Sequence, residues 1–311
     1  MGGSLFGDAR VFTHASVGIE APEAHQLLED VRRRLGGTDG ELKAARLNRT
    51  WARPIADWLL AADGPLRDRV VVHVTDTRLF GLARLAQVTS GLRPEGWWSA
   101  REDPHAWRWA CELSDALTTW ARERELLDAG RDLLWLRRHR RMDAPLETWV
   151  AEARLTATDE VLAPLGTPEA ERAVRAHVAD PPVCPLNEPL LPAVWSAMQR
   201  WSEDADPVIV HDEQSVLTES RVAAMAAELT RRHPGRRLAG FRRVDSRDDG
   251  RVQLADLVAG VVRRTLEDSL TGLDEPLALD HLLAQDSVGL SGDDRAAHAA
   301  GGPRRAPSPG A

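Results

Sequence analysis

Residues 9–19, ARVFTHASVGI, are dense in β-branched and aromatic side chains and predict a strand. Residues 22–35 follow with apolar positions three and four apart, the period of an amphipathic helix, until Gly36-Gly37 stops it. Residues 41–62 keep a helical period with a break at Pro54, and 69–76, RVVVHVTD, form the clearest early strand. Two later apolar runs also read as strands. Pro207–His211 runs into Asp212, and Arg237–Val244 runs into Asp245-Ser246. Residues 252–264 return to the helical period, with Leu254, Leu257, Val258 and Val261 on one face and Gln253, Asp256 and Gly260 on an adjacent stripe. The alternation predicts an α/β fold.

Between these parts the pattern changes. From about 95 to 200 the chain has helical periodicity, few β-branched runs and the tryptophans 97, 98, 107, 109, 120, 135, 149, 195 and 201. This segment is expected to be a helical insertion with most of its tryptophans buried. The expected organisation is therefore 1–94 and 201–290 as two parts of one α/β domain, 95–200 as the insertion, and 291–311 as a disordered tail with little to bury.

Composition narrows the function classes. A hydrophobic content of 43% suffices for a core, and the formal charge of −8 argues against a surface that is basic all over. No run approaches the roughly 20 apolar residues of a membrane span, and no signal-peptide pattern opens the chain, so a cytoplasmic location and no membrane partner are expected. Cys111 and Cys184 stand alone, which suits buried fillers better than a disulfide framework or a zinc site. Of 40 basic residues only Lys43 is a lysine. A site that needs a compact ammonium would keep it, and chance retention explains it equally well. Neither a G-x-S-x-G elbow nor a G-x-x-x-x-G-K-[ST] loop is present.

The candidate chemistry lies in carboxylates at element ends. Asp212 closes an apolar strand, where open α/β sheets place ligands, and His211 points to the opposite face; a turn or a helix cap would also use an Asp there. The same holds for Asp76, Asp245 and Ser246. Asp256 beside an apolar stripe is costly to bury unless paired or bound to metal, and Gly260 permits a close approach. Glu41 suits a helix start by itself.

In order, Glu41-Leu42-Lys43, Val210-His211-Asp212, Val244-Asp245-Ser246 and Gln253-Leu254-Ala255-Asp256-Leu257-Val258-Ala259-Gly260 resemble the motifs of the bacterial family known as domain of unknown function 3800. The resemblance covers roughly residues 9–270, and its last motif is the most specific. It implies a ribonuclease H-like mixed sheet flanked by helices, with Asp212, Asp256 and Glu41 as ligands of Mg2+ or Mn2+. Two such ions about 4 Å apart would neutralise the carboxylates and clamp an in-line phosphoryl transfer. Lys43 would face a phosphate, and His211, Asp245, Ser246 and Gln253 would support the ligands. One departure stands out. The family's opening strand, ending in Asp-Glu-Ser-Gly, has no counterpart here, and Met1-Gly2-Gly3 falls where its Glu-Ser-Gly would be. On this resemblance the missing strand and its Asp are expected upstream of Met1.

Two readings of function follow: a divalent-metal-dependent nuclease or related phosphoryl-transfer enzyme, or an inactive ribonuclease H-like module that binds a partner in a defence or mobile-element system. A third concerns the helical middle, where Trp135 and Arg137, Arg138, Arg140 and Arg141 form either a nucleic-acid surface or a solvated face balanced by Asp132 and Asp143.

Overall fold

The computed structural model describes residues 10–37, 42–91, 104–116, 130, 143–155, 161–180, 188–271, 279–284 and 287. In chain order these form β1 (Val11–Val17), α1 (Ala21–Arg34), α2 (Ala44–Leu47), a 3-10 turn (Thr50–Ala52), α3 (Arg53–Leu60), β2 (Val70–Asp76), α4 (Thr77–Thr89), α5 (Pro104–Ala116), α6 (Asp143–Leu155) and α7 (Pro168–Ala179). Then come α8 (Leu190–Trp201), β3 (Val208–Asp212), α9 (Glu219–Arg232), β4 (Gly240–Val244) and α10 (Gly250–Thr271). The protein is mixed α/β, mostly helical, with small sheets. No helix among the described residues is long and apolar enough to cross a membrane.

The chain divides into two compact units, with boundaries at Thr75/Asp76 and Glu188/Pro189. The periodicity put these changes at 94/95 and 200/201. They differ because α4 packs with α5 and α7, whereas α8 packs on β1. Trp201 of α8 donates from Nε1 to Ser16 Oγ at 2.9 Å, and its ring lies against Gly18.

The helical unit is built around α4, whose residues from Leu79 to Thr89 are all buried, together with Trp107, Trp149, Val150 and Val174. Trp149 is wholly buried and Trp109 partly, its Nε1 donating to the Val161 carbonyl. Asp76 caps α4 by accepting from the N–H groups of Arg78 and Leu79 at 3.0 and 3.1 Å, with Arg10 beside it. This strand-ending carboxylate is thus a helix cap. Cys111 is buried in the same cluster. Trp97, Trp98, Trp120, Trp135, Cys184, the Arg137–Arg141 run and the segment 291–311 lie outside the described residues.

The other unit holds all four strands, apart from Asp76 at the end of β2. Helix α1 buries Ala24, Leu27, Leu28 and Val31, one stripe at helical spacing. It ends where Gly36 and Gly37 take φ of +87° and +77° and donate to the carbonyls of Arg33 and Arg32, a left-handed stop that a side chain would resist. Residues 41–62 do not make one broken helix. The chain forms α2, a 3-10 turn and α3, and Pro54 sits in the first turn of α3. Proline loses nothing there, since first-turn N–H groups have no helical partner.

Strands β1 and β2 pair with each other, and β3 pairs with β4 in parallel. The bonds Gly18 N–H to Arg69 O and Thr77 N–H to Arg10 O make the first pair antiparallel, with the even-numbered residues of β1 turned to β2. In the second, Glu213 N–H to Val244 O and Ala239 N–H to Pro207 O turn the odd-numbered residues of β3 to β4. The far edge of β2 is met at Val72 by Leu283. One edge of β1, carrying the peptide groups of Val11, Thr13, Ala15 and Val17, therefore has no strand partner among the described residues. The same is true of β3 at Val208 and Val210. This phase is testable: Ile209→Pro removes a ladder donor and should cost about 1–3 kcal/mol more than Val210→Pro, measured by chemical denaturation. Equal costs would mean the ladder runs in the other phase.

Candidate functional site

Because β3 and β4 are parallel, their carboxyl ends lie side by side, and Asp212, Asp245 and Ser246 meet there. Asp212 Oδ1 accepts the Ser246 N–H at 3.2 Å, and its Oδ2 accepts Gln214 Nε2 at 3.3 Å. Gln253, buried near the start of α10, donates from Nε2 to the Ser246 carbonyl at 3.4 Å and accepts from Arg32 Nη2 of α1 at 3.1 Å. Strand end, following loop and helix are thereby tied into one hydrogen-bonded chain.

Asp249, which the sequence reading passed over, directly precedes α10. Asp249 Oδ1 accepts the Arg251 N–H at 2.9 Å, and the Arg251 guanidinium holds its carboxyl below the usual range. Asp245 is half-buried and paired with Arg247, which depresses its carboxyl to about 2. It supports its own loop and is not bonded to Asp212.

One turn beyond Gln253, Asp256 is exposed. One turn further, Gly260 meets α2: a Cβ built there would lie 2.4 Å from Ala44 Cβ. Asn48 Nδ2 donates to the Gly260 carbonyl at 3.4 Å, and Thr13 of β1 donates to the Ala259 carbonyl at 2.8 Å. The close approach read from Gly260 is thus a backbone approach by α2, and it brings Lys43, the exposed residue before α2, to this helix. Glu41 lies outside the described residues.

The implied cation set is tested by the geometry of its members. Among the described residues no three histidine, cysteine or acidic side chains come within reach of one ion. Both oxygens of Asp212 already accept N–H donors. The described residues therefore do not fit a magnesium or manganese site by themselves.

On the opposite face of the strands lies a group that no sequence motif announced. His14 of β1 and His211 of β3 stack with ring centroids 5.3 Å apart and their Nε2 atoms at 3.2 Å. His211 Nδ1 is 2.8 Å from the Asp212 carbonyl, which can only accept, so Nδ1 carries the proton. The neutral ring then accepts at Nε2, and His14 donates. Phe241 stacks on the far side of His211. Burial, with His211 and His73 nearby, pushes His14 down to about 3, and burial lowers His211 too, against the pull of Asp212.

Comparison with known proteins finds no family model, no curated protein and no solved structure that matches this chain.

Proposed function

We propose that this chain is a ribonuclease H-like module of the domain of unknown function 3800 kind, and that it carries out phosphoryl-transfer chemistry on nucleic acid through Asp212, Asp256, Glu41 and Lys43. One observation carries the reading. The stretch Gln253–Gly260 of α10 is met at one end by the Asp212–Ser246 loop and at the other by Ala44, next to Lys43. Motifs some two hundred residues apart in sequence thus gather on two turns of one helix, with Asp256 between them. The finer fold has support from the strands: β1 and β3 each keep an edge that, among the described residues, no strand occupies and that a further strand of a mixed sheet could join.

Magnesium or manganese belongs to this reading only if Glu41 and a further carboxylate join Asp212 and Asp256. Lys43 is the group placed to meet a phosphate, and the bond from Ser246 holds the Asp212 carboxylate at the strand end.

The second reading, an inactive module that binds a partner, is favoured by the same two hydrogen bonds, because a carboxylate saturated by Ser246 and Gln214 is a loop clamp. Cleavage of labelled DNA and RNA in magnesium or manganese separates the two. The first expects activity that Asp256→Asn lowers by roughly 100-fold or more, the scale for a group that touches reacting charge, with an unchanged melting temperature. Activity indifferent to Asp256→Asn would sink the assignment. A folded chain inactive in both metals would establish the second reading.

A further inference from the structure

The segment Leu42–Arg53, LKAARLNRTWAR, holds Lys43, Arg46, Arg49 and Arg53 and no acid, in a chain whose formal charge is −8. The structure lays it along the second half of α10, beyond the Ala44–Gly260 contact. A groove of about 120 Å³ runs between the two, with Leu47 and Val261 in its lining and Arg49, Thr50, Arg53 and Arg264 among its polar groups. Two of these arginines are held by carboxylates: Arg53 by Asp57 at 3.0 Å and Arg264 by Asp268 at 2.9 Å. Arg46 and Arg49 are exposed and, among the described residues, paired with no carboxylate.

Beside them stands Trp51, 60% exposed. Leaving an indole in water forgoes one of the largest burial gains a side chain can make, and the chain buries Trp107, Trp149 and Trp195. Arg49 lines the groove, while Arg46 and Trp51 stand on the same segment outside its lining, and together they have the parts of a single-strand site: cations for the backbone and a flat ring for a base. A duplex would offer the phosphates but not a free base face.

We propose that this groove binds single-stranded nucleic acid, with Arg46 and Arg49 contacting successive phosphates and Trp51 stacking on a base. The path would lead along α10 toward Lys43 and Asp256. It deepens the phosphoryl-transfer reading by naming the strand state of its substrate, yet binding itself does not depend on catalysis.

The test uses the full chain with a chelator present, so that nothing is cleaved, and follows the anisotropy of labelled oligothymidylate, oligouridylate and a duplex of the same length. Single strands should bind more tightly than the duplex. Arg46→Glu with Arg49→Glu should weaken binding about tenfold or more and flatten the salt dependence by roughly 1.4 in log–log slope, at about 0.7 for each phosphate left unneutralised. Trp51→Ala should weaken it about fivefold or more at every salt concentration with the slope kept. Melting curves of the variants should match the parent, because all three side chains stand in water.

No binding by the parent chain, or binding indifferent to all three substitutions, would overturn the proposal. Equal affinity for the duplex with no effect of Trp51→Ala, or tighter binding to anionic phospholipid vesicles than to either oligonucleotide, would also overturn it. Groove binding by a chain that never cleaves would leave this inference standing and remove the nuclease reading. Cleavage untouched by the substitutions would do the reverse.

Discussion

Gly260→Val will destabilise the strand-bearing unit by about 3 kcal/mol, the upper part of the range for forcing extra atoms into a packed contact. A Cβ at this position would lie 2.4 Å from Ala44 Cβ, where carbon atoms in contact keep about 3.5–4.0 Å. Ala44 has no side-chain torsion to swing away, so relief requires α2 to move as backbone. Both sides of the contact are pinned, by Thr13 to the Ala259 carbonyl and by Asn48 to the Gly260 carbonyl. Gly260→Ala should be milder, because alanine recovers about 1 kcal/mol of helix propensity against the same clash. Combining it with Ala44→Gly reopens the space, so a double-mutant cycle read by urea denaturation should show at least about 1 kcal/mol of coupling. Additive effects would mean that the contact does not hold α2 in place. Because Lys43 directly precedes Ala44, the valine variant should also lose whatever activity depends on Lys43 reaching α10.

The parts of the fold that could be read from the chain are those where one face is buried and the other is not. Leu254, Leu257, Val258 and Val261 are buried as their spacing requires, and the stop at Gly36-Gly37 follows from glycine alone. Strand β4 was expected from Arg237 but begins at Gly240, because the Asp206 side chain takes the Arg237 N–H ahead of the ladder. The first unit boundary lies ahead of α4, where the periodicity put the change of pattern behind it, and the difference has a physical reason. Helix α4 is buried nearly all round, Arg84 and Gln87 included, so its sequence carries no stripe to say which core it joins. At the candidate site, the Asp212–Ser246–Gln253 chain was legible in outline, since parallel strands bring their ends together. The helix cap weighed for Asp76 is the one the structure forms, whereas Asp249 was missed although the signal was there: it directly precedes a helix and accepts from one of its first N–H groups. The His14–His211 pair had no such signal. Strand alternation says which face each ring takes, but not that rings 197 residues apart in the chain will meet.

That pair sets the second large effect, a loss of stability in mild acid. His14 titrates near 6.5 when unfolded and is pushed down to about 3 in the folded chain. Between those values the unfolded state binds a proton that the folded state does not, so stability falls as pH falls, with a limiting slope of about 1.4 kcal/mol per pH unit. The contribution is fully present above 6.5 and is lost progressively toward 3. Allowing for the partial exposure of the ring, roughly 2–3 kcal/mol should be gone by about pH 4. His211 shifts in the same direction, with Asp212 opposing, and adds to the slope. The carboxylates at Asp245 and Glu228, depressed to about 2 by their arginines, begin to lose their stabilising contribution only where the unfolded carboxyls take up protons, below about 3.8 and 4.5 respectively, and lose it progressively toward 2. The imidazoles therefore dominate the first part of the acid limb. Urea denaturation from about pH 7 to about pH 4 should show the slope, and His14→Gln, which keeps a polar group on β1 but takes up no proton, should flatten it. An acid limb identical in the variant would show that His14 is charged in the folded chain, and with it that the neutral Nε2–H···Nε2 bond across β1 and β3 is wrong.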